Sequence, residues 1–255
     1  MNAARPLDGL KVLVTGGSRG VGAAIVRRLV AEGAFPIIHY SSSMSHAESL
    51  LGEIGGRGVL VRGDLSEERA AERVWAEAVT ATGRIDALVN NAGMRTEIAI
   101  DADMDDWRAA WRKEFQVNLF SAMDLSALAI RHFREIGGGR IINVSSVTAH
   151  RGYSGDTIAY GATKAALSNA TKTIARNFAA EKIYSMAIAP GWISTEMGTA
   201  AAPSYGGEEA VLKGIPTGRM ASPEEIAEMV AFTLRPSQIA MTGSTLDANN
   251  GTYVR

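Results

Sequence analysis

Two stretches of this sequence combine residue types and spacing that can do chemistry. In the first, Thr15-Gly16-Gly17-Ser18-Arg19-Gly20-Val21-Gly22, glycines recur between a short apolar run and a helical pattern. Glycine there permits a tight turn and lets backbone N–H groups approach a pyrophosphate, while the N-terminus of the following helix adds partial positive charge. A glycine-rich turn by itself can be an ordinary loop. Its place directly after the first strand of an alternating chain favours a phosphate cradle. In the second stretch, Tyr160 and Lys164 lie four apart in a helix-patterned segment and project from one face. A free phenol has a pKa of about 10. A neighbouring ammonium favours tyrosinate and should lower that value towards the range where proton exchange is efficient. Tyrosine and lysine also meet at this spacing by chance, and the bland reading of Lys164 is a solvated helix-face residue.

Short apolar runs must carry these residues. Strands are expected at Val12–Val14, Pro36–His39, Val59–Val61, Ala87–Val89, Ile141–Val144, Met186–Ala189 and Ser244–Asp247, too short and too apolar for helices. Pro36 fits only near the start of its strand. Helix patterns lie between them. One runs from Gly22 through Ile25, Leu29 and Val30 to Gly33. A second is expected to start at a Ser66 cap, bury Ala70, Val74 and Ala78, and stop near Gly83. Ser222-Pro223-Glu224-Glu225 has a cap, a first-position proline and a capping-box glutamate. Gly137–Gly139 reads as a turn before a strand. The alternation predicts a single α/β domain, residues 1–255, with a doubly wound parallel sheet of about seven strands and helices on both faces.

Composition narrows the function classes. With 27 acidic and 26 basic residues among 255, the formal net charge is −1, which gives no footprint for nucleic acid or an anionic membrane. No cysteine is present, so disulfides and thiol nucleophiles are excluded. His39, His46, His132 and His150 show no metal-ligand spacing and read as surface or packing residues, so no metal is expected. Met1–Leu10 is too short and polar for a signal peptide, and no apolar run reaches the roughly 20 residues that span a bilayer. A cytoplasmic protein is the expectation.

The glycine spacing Gly16, Gly20, Gly22 resembles the T-G-x-x-x-G-x-G turn of the short-chain dehydrogenase/reductase family, and the resemblance continues in order over nearly the whole chain. Asp64-Leu65 is similar to the pair that contacts adenine. Asn90-Asn91-Ala92-Gly93 matches the family's N-N-A-G, and Asn118 lies where the family keeps a catalytic asparagine. Ser145-Ser146 precedes Tyr160-x-x-x-Lys164, and Pro190-Gly191-Trp192-Ile193-Ser194-Thr195 resembles the segment beside nicotinamide. The resemblance implies a Rossmann-type fold and an oxidoreductase moving a hydride between a nicotinamide cofactor and a carbonyl or secondary alcohol. Tyr160 would be the proton donor in reduction and the base in oxidation, and the positive nicotinamide of the oxidised complex would further favour its phenolate. Lys164 would hold the nicotinamide ribose, and Ser146 would polarise the carbonyl. Ser146 lies fourteen residues before Tyr160, one more than in many relatives; the loop His150–Ile158 absorbs the extra residue, and Ser145 stays a lesser candidate. Asn118 would order a helix and a water in a proton path. The Ile193 backbone and the Thr195 hydroxyl would meet nicotinamide and phosphate.

Cofactor choice is read from the end of the second strand, where dinucleotide folds that prefer NAD usually place an acidic residue. That position is Tyr40, and His39-Tyr40-Ser41-Ser42-Ser43 holds no carboxylate. Arg19, Ser41 and Ser42 could bind a 2′-phosphate, so NADP(H) is expected. Residues 196–216 fall where the family has its substrate lid, and they name no ligand. The overall look is to 3-oxoacyl-thioester reductases, with sugar, polyol and steroid dehydrogenases behind. A nucleotide-sugar epimerase or dehydratase would need a longer C-terminal part. A non-catalytic dinucleotide sensor would not need Asn118, Ser146, Tyr160 and Lys164 together. Trp107–Phe133 and Ala159–Ala180 carry more apolar surface than a one-faced helix needs, and in the family these helices build a homotetramer.

Overall fold

In the computed structural model, which describes residues 5–254, strand and helix alternate along the chain. β1 (Lys11–Val14), β2 (Phe35–Tyr40), β3 (Val59–Arg62), β4 (Ala87–Asn90), β5 (Gly139–Val144), β6 (Ile183–Pro190) and β7 (Thr245–Ala248) form one parallel sheet. Its order is β3-β2-β1-β4-β5-β6-β7. Every expected run falls on a strand, with ends that move by up to three residues. Pro36 is the second residue of β2, where its missing N–H is tolerated. The opening of the N-terminal segment, Met1–Ala4, lies outside the described residues.

Helices cover both faces. They are α1 (Gly20–Ala31), α2 (Met44–Glu53), α3 (Ala70–Thr82), α4 (Met104–Phe115), α5 (Ser121–Ile136), α6 (Thr148–Arg151), α7 (Ile158–Phe178), α8 (Glu196–Ala201), α9 (Glu208–Lys213) and α10 (Pro223–Leu234). Successive strand residues point to opposite faces. Val12 and Val14 therefore meet Ile25 and Leu29 of α1 and Ile226 and Val230 of α10. Leu13 points the other way, into a cluster with Val74 of α3, Leu125 and Phe133 of α5 and Ile174 of α7. Each fully buried Leu, Ile or Val contributes about 1.5–3 kcal/mol, so both layers hold the sheet in place beneath the site.

Three local expectations are corrected or sharpened. Ser66 does not cap α3: its N–H and hydroxyl both donate to Asp64 Oδ1, at 3.0 and 2.8 Å, forming a local turn. A short polar side chain satisfies nearby backbone in place of the helix, which begins only after Arg69 at φ 62°. Gly139 is the first residue of β5 and not part of the turn, with the Phe133 ring where a Cβ would stand. Ser222 and Glu225 do form the expected box, Glu225 N–H donating to Ser222 Oγ at 3.2 Å and Ser222 N–H to Glu225 Oε2 at 2.7 Å. Between α4 and α5 the helical rod widens to a π turn over Gln116–Phe120. Such insertions frequently mark functional sites, and Asn118 lies at the centre of this one.

Candidate active site

The chain leaves β1 towards β2 on one side, and β4 towards β5 on the other. Between these diverging connections, outside the carboxyl ends of the strands, is where ligands enter open α/β sheets. A cleft of about 900 Å³ opens there. It is lined by Gly16, Ser18, Arg19, Gly20, Val21 and Gly22 of the turn, and by Asn91, Ala92 and Gly93 after β4. Pro190, Gly191, Ile193 and Thr195 after β6 line it too, as do Ser146, Tyr160 and Lys164. Asn118 does not reach the cleft and sits behind its wall.

The glycine turn is shaped for close approach. Gly16 and Gly20 lie at φ 60° and 51°, and a Cβ on Gly22 would fall onto the Gly16 carbonyl and within 2.8 Å of Asn91 Nδ2. Two residues given no role from sequence pin it. Thr15 Oγ1 accepts from the N–H groups of Asn91 and Ala92, both at 3.0 Å, tying the N-N-A-G loop to the turn. His39 Nδ1 accepts from Gly16 N–H at 3.0 Å, so its Nε2–H faces the Gly63 carbonyl at 3.0 Å. Burial holds this imidazole down at about 4, neutral under ordinary conditions. The sequence marked His39 only as a surface or packing residue. Its signal was its place on the strand beside the turn.

At the outer end, Tyr40, Ser41 and Ser42 line the cleft with Asp64 and Leu65. The Ser66 N–H bond holds the Asp64 carboxyl below the usual carboxylate range. Arg19 meets Glu196 at 3.4 Å, both side chains largely exposed, a pairing worth little in water.

The inner end gathers the hydroxyls. Ser145 Oγ bonds to the Lys164 carbonyl and Ser168 Oγ, at 3.0 and 2.7 Å, and is absorbed by α7. Ser146 Oγ instead lines the cleft with Tyr160 and accepts from Thr148 N–H at 3.2 Å and Thr148 Oγ1 at 2.9 Å. Lys164 is buried, and its Nζ donates to the Val144 carbonyl at 2.9 Å, 5.7 Å from the centre of the Tyr160 ring. Burial lowers this ammonium to about 8. The expected lowering of Tyr160 has the opposite sign here. Burial pushes its phenol up, the Ser146 hydroxyl draws it back, the Glu114 charge adds to the rise, and Arg95 opposes it.

Asn118 is fully engaged. Its Oδ1 accepts from Met94 N–H at 2.8 Å, and its Nδ2 donates to Met94 O at 2.9 Å and Thr163 Oγ1 at 3.2 Å. Thr195 Oγ1 accepts from Gly198 N–H at 3.2 Å and caps α8, whose Glu196, Met197 and Ala200 line the cleft, as does Tyr205 beyond it. There the rings of Tyr153, Trp192 and Tyr205 meet, with centroids 4.9 to 6.2 Å apart. Arg95 donates to the Tyr205 hydroxyl at 2.8 Å and pairs with Glu97 at 2.7 Å. Ser204 donates to the same glutamate at 2.8 Å. Apart from the Arg95–Glu97 pair these contacts join residues distant in sequence, so no local pattern announced them. Among the described residues no cluster of side chains suits a metal ion, and no helix is long and apolar enough to cross a membrane.

The family model described as enoyl-(acyl carrier protein) reductase matches residues 16–253. The chain is 34% identical over 248 residues to the 3-oxoacyl-[acyl-carrier-protein] reductase of Vibrio cholerae, covering 97% of this chain and 99% of that one. It also superposes on solved structures. A Brucella melitensis 3-ketoacyl-(acyl-carrier-protein) reductase complexed with NADH gives a TM-score of 0.86 at 29% identity, covering 97% of this chain and all of the other. A Burkholderia cenocepacia short-chain dehydrogenase in complex with NADP gives 0.86 at 30%, covering 97% and 99%. The chain belongs to the short-chain dehydrogenase/reductase family, and it is an oxidoreductase with a nicotinamide dinucleotide site.

Proposed function

We propose that this chain is an NADP(H)-dependent reductase of carbonyl compounds, with Tyr160 as acid/base and a 3-oxoacyl thioester as the favoured substrate class. The observation that carries the reading is the convergence of Ser146, Tyr160 and Lys164 on one cleft that continues into the glycine turn. A bound nicotinamide supplies the hydride. The Ser146 hydroxyl donates to the substrate oxygen where negative charge develops, and the Tyr160 phenol delivers its proton to that oxygen. In alcohol oxidation the phenolate takes the proton back. Lys164, protonated at neutral pH with a value of about 8, holds the ribose hydroxyls and supplies the positive charge that favours phenolate. Asn118 fixes the loop after β4 against α7.

The substrate class rests on the relatives, whose names specify 3-oxoacyl and 3-ketoacyl groups bound to carrier protein. The test is NADPH consumption across a carbonyl panel: 3-oxoacyl thioesters, sugar, polyol and steroid ketones, and an enoyl thioester, the class in the family model's description. Turnover is expected with 3-oxoacyl thioesters. Consumption only with the enoyl thioester would overturn the carbonyl reading.

The active form proposed is a homotetramer. Trp107, Trp111, Phe115 and Phe120 form an aromatic ladder along α4 and into the π turn, with ring centroids 5.8, 5.5 and 6.1 Å apart. Phe120 is half exposed, apolar area of the kind that marks an interface. Sedimentation should show a species of four 27.0 kDa chains, and Phe120→Glu should drive it towards smaller ones. A monomer at micromolar concentration would refute the assembly.

A further inference from the structure

The reaction proposed above leaves one buried ionisable group unused. Glu114 lies in the last turn of α4, four residues before Asn118, and its side chain is fully buried. Carboxylates are almost never placed so unless paired. Here Oε1 accepts from Thr96 N–H at 3.4 Å and Asn118 Nδ2 at 3.5 Å, both long, and Oε2 finds no protein partner among the described residues. A purely structural position would be more stable with an apolar side chain of similar volume.

The surroundings give this carboxyl a chemical reason. Lys164 acts on it from α7 and Arg95 from the loop after β4, both as positive charges. Glu114 in turn acts on Lys164 and on Tyr160, both on α7. Gly93 joins the parts, because a Cβ there would stand 3.4 Å from both Asn118 Oδ1 and Lys164 Nζ. The amide above Glu114 and the ammonium beside Tyr160 thus flank the same bare glycine. Glu114 and Asn118 are buried outside the cleft lining, which includes both Lys164 and Tyr160.

We propose that Glu114 is a positioning residue of this site, whose carboxyl, charged or protonated beneath Asn118, sets the proton affinity of Lys164 and Tyr160. The inference rests on the reading of those two as the catalytic pair. Burial raises the Glu114 carboxyl to about 7, against the opposing influence of Thr96 first and then of the Lys164 and Arg95 charges. Above that pH its charge favours the lysine ammonium and disfavours tyrosinate, so both groups keep their protons to higher pH. Tyr160 then remains a proton donor as the medium turns alkaline. Below about pH 7 the carboxyl is neutral and this influence disappears.

The experiment compares the parent with Glu114→Gln, which keeps the shape and removes the charge. In pH profiles of kcat/KM, the alkaline limb of carbonyl reduction and the acidic limb of alcohol oxidation should both move to lower pH. Glu114→Asp, which keeps a carboxylate, should restore both limbs towards the parent. A merely structural role would lower thermal stability and turnover without moving either limb, and unmoved limbs overturn the proposal. Carbon-13 spectra of protein labelled at glutamate carboxyls give a second readout without turnover and without any variant. The parent should show one carboxyl titrating near pH 7, and all glutamates titrating in the ordinary acid range would overturn the inference. That spectrum decides the point even where Glu114→Gln does not fold. It is also separable from the functional reading, since failure to reduce any carbonyl leaves the titration unchanged.

Discussion

Tyr160→Phe should lower kcat for carbonyl reduction by at least roughly 10²–10⁴-fold, the usual contribution of a positioned acid/base. The variant removes one hydroxyl at a cleft wall and leaves the ring, so the fold and the glycine turn should be untouched. NADPH affinity should change little, because the lost O–H serves mainly the transition state. Loss of kcat and kcat/KM together, with cofactor binding intact, is the signature of an interaction made only there. The Ser146 hydroxyl, which lines the same cleft, could still polarise the carbonyl, so some residual rate is expected. Steady-state kinetics with cofactor titration check the outcome. Near-normal turnover on a substrate that the parent clearly reduces would sink the role given to Tyr160.

Arg19→Ala should weaken NADPH by roughly 10–100-fold and leave NADH nearly unchanged. Arg19 lines the cleft beside Tyr40, Ser41 and Ser42, and none of these four is a carboxylate that would repel a 2′-phosphate. A hydrogen bond to a charged group is worth about 1.5–3 kcal/mol, which is the stated fold-change. The competing contact to Glu196 is exposed at both ends and easily exchanged for phosphate. His39, though adjacent, contributes no positive charge, since burial keeps it neutral. Tyr40→Asp should shift the preference towards NADH by adding repulsion at the end of β2. Parallel kinetics with the two cofactors check both variants. A parent with higher kcat/KM for NADH than for NADPH would overturn the choice, and the NADH-bound Brucella melitensis relative makes that comparison necessary.

The sheet was readable in the sequence because its central strands, such as β1 and β4, are buried on both faces and appear as short apolar runs, while the edge strands β3 and β7 are partly exposed. Residues carrying family motifs were readable too, and the cleft collects most of them, while Thr15, Asn90 and Asn118 sit behind its wall. What escaped depended on competition or on distance. Ser66 has the right type for a cap, but Asp64 two residues earlier takes its hydrogen bonds first. The π turn at Gln116–Phe120 has no residue signature, because it is an extra residue accommodated by packing. Glu114 follows Arg112 and Lys113, and in such a run a carboxylate reads as solvated; only the fold shows it turned inward. Arg95 and Tyr205 are 110 residues apart, so their contact across the cleft mouth has no local pattern.

The most direct test of the central claim follows the hydride itself. The enzyme is loaded with NADPH carrying deuterium at the transferable position of the nicotinamide, then mixed with a 3-oxoacyl thioester in a single turnover. Mass spectrometry of the product should find the deuterium on the new carbinol carbon, with transfer slowed at least roughly 10²-fold in Tyr160→Phe. Tight NADPH binding with no deuterium delivered to any carbonyl of the panel would contradict the account and leave a dinucleotide-binding protein without this chemistry.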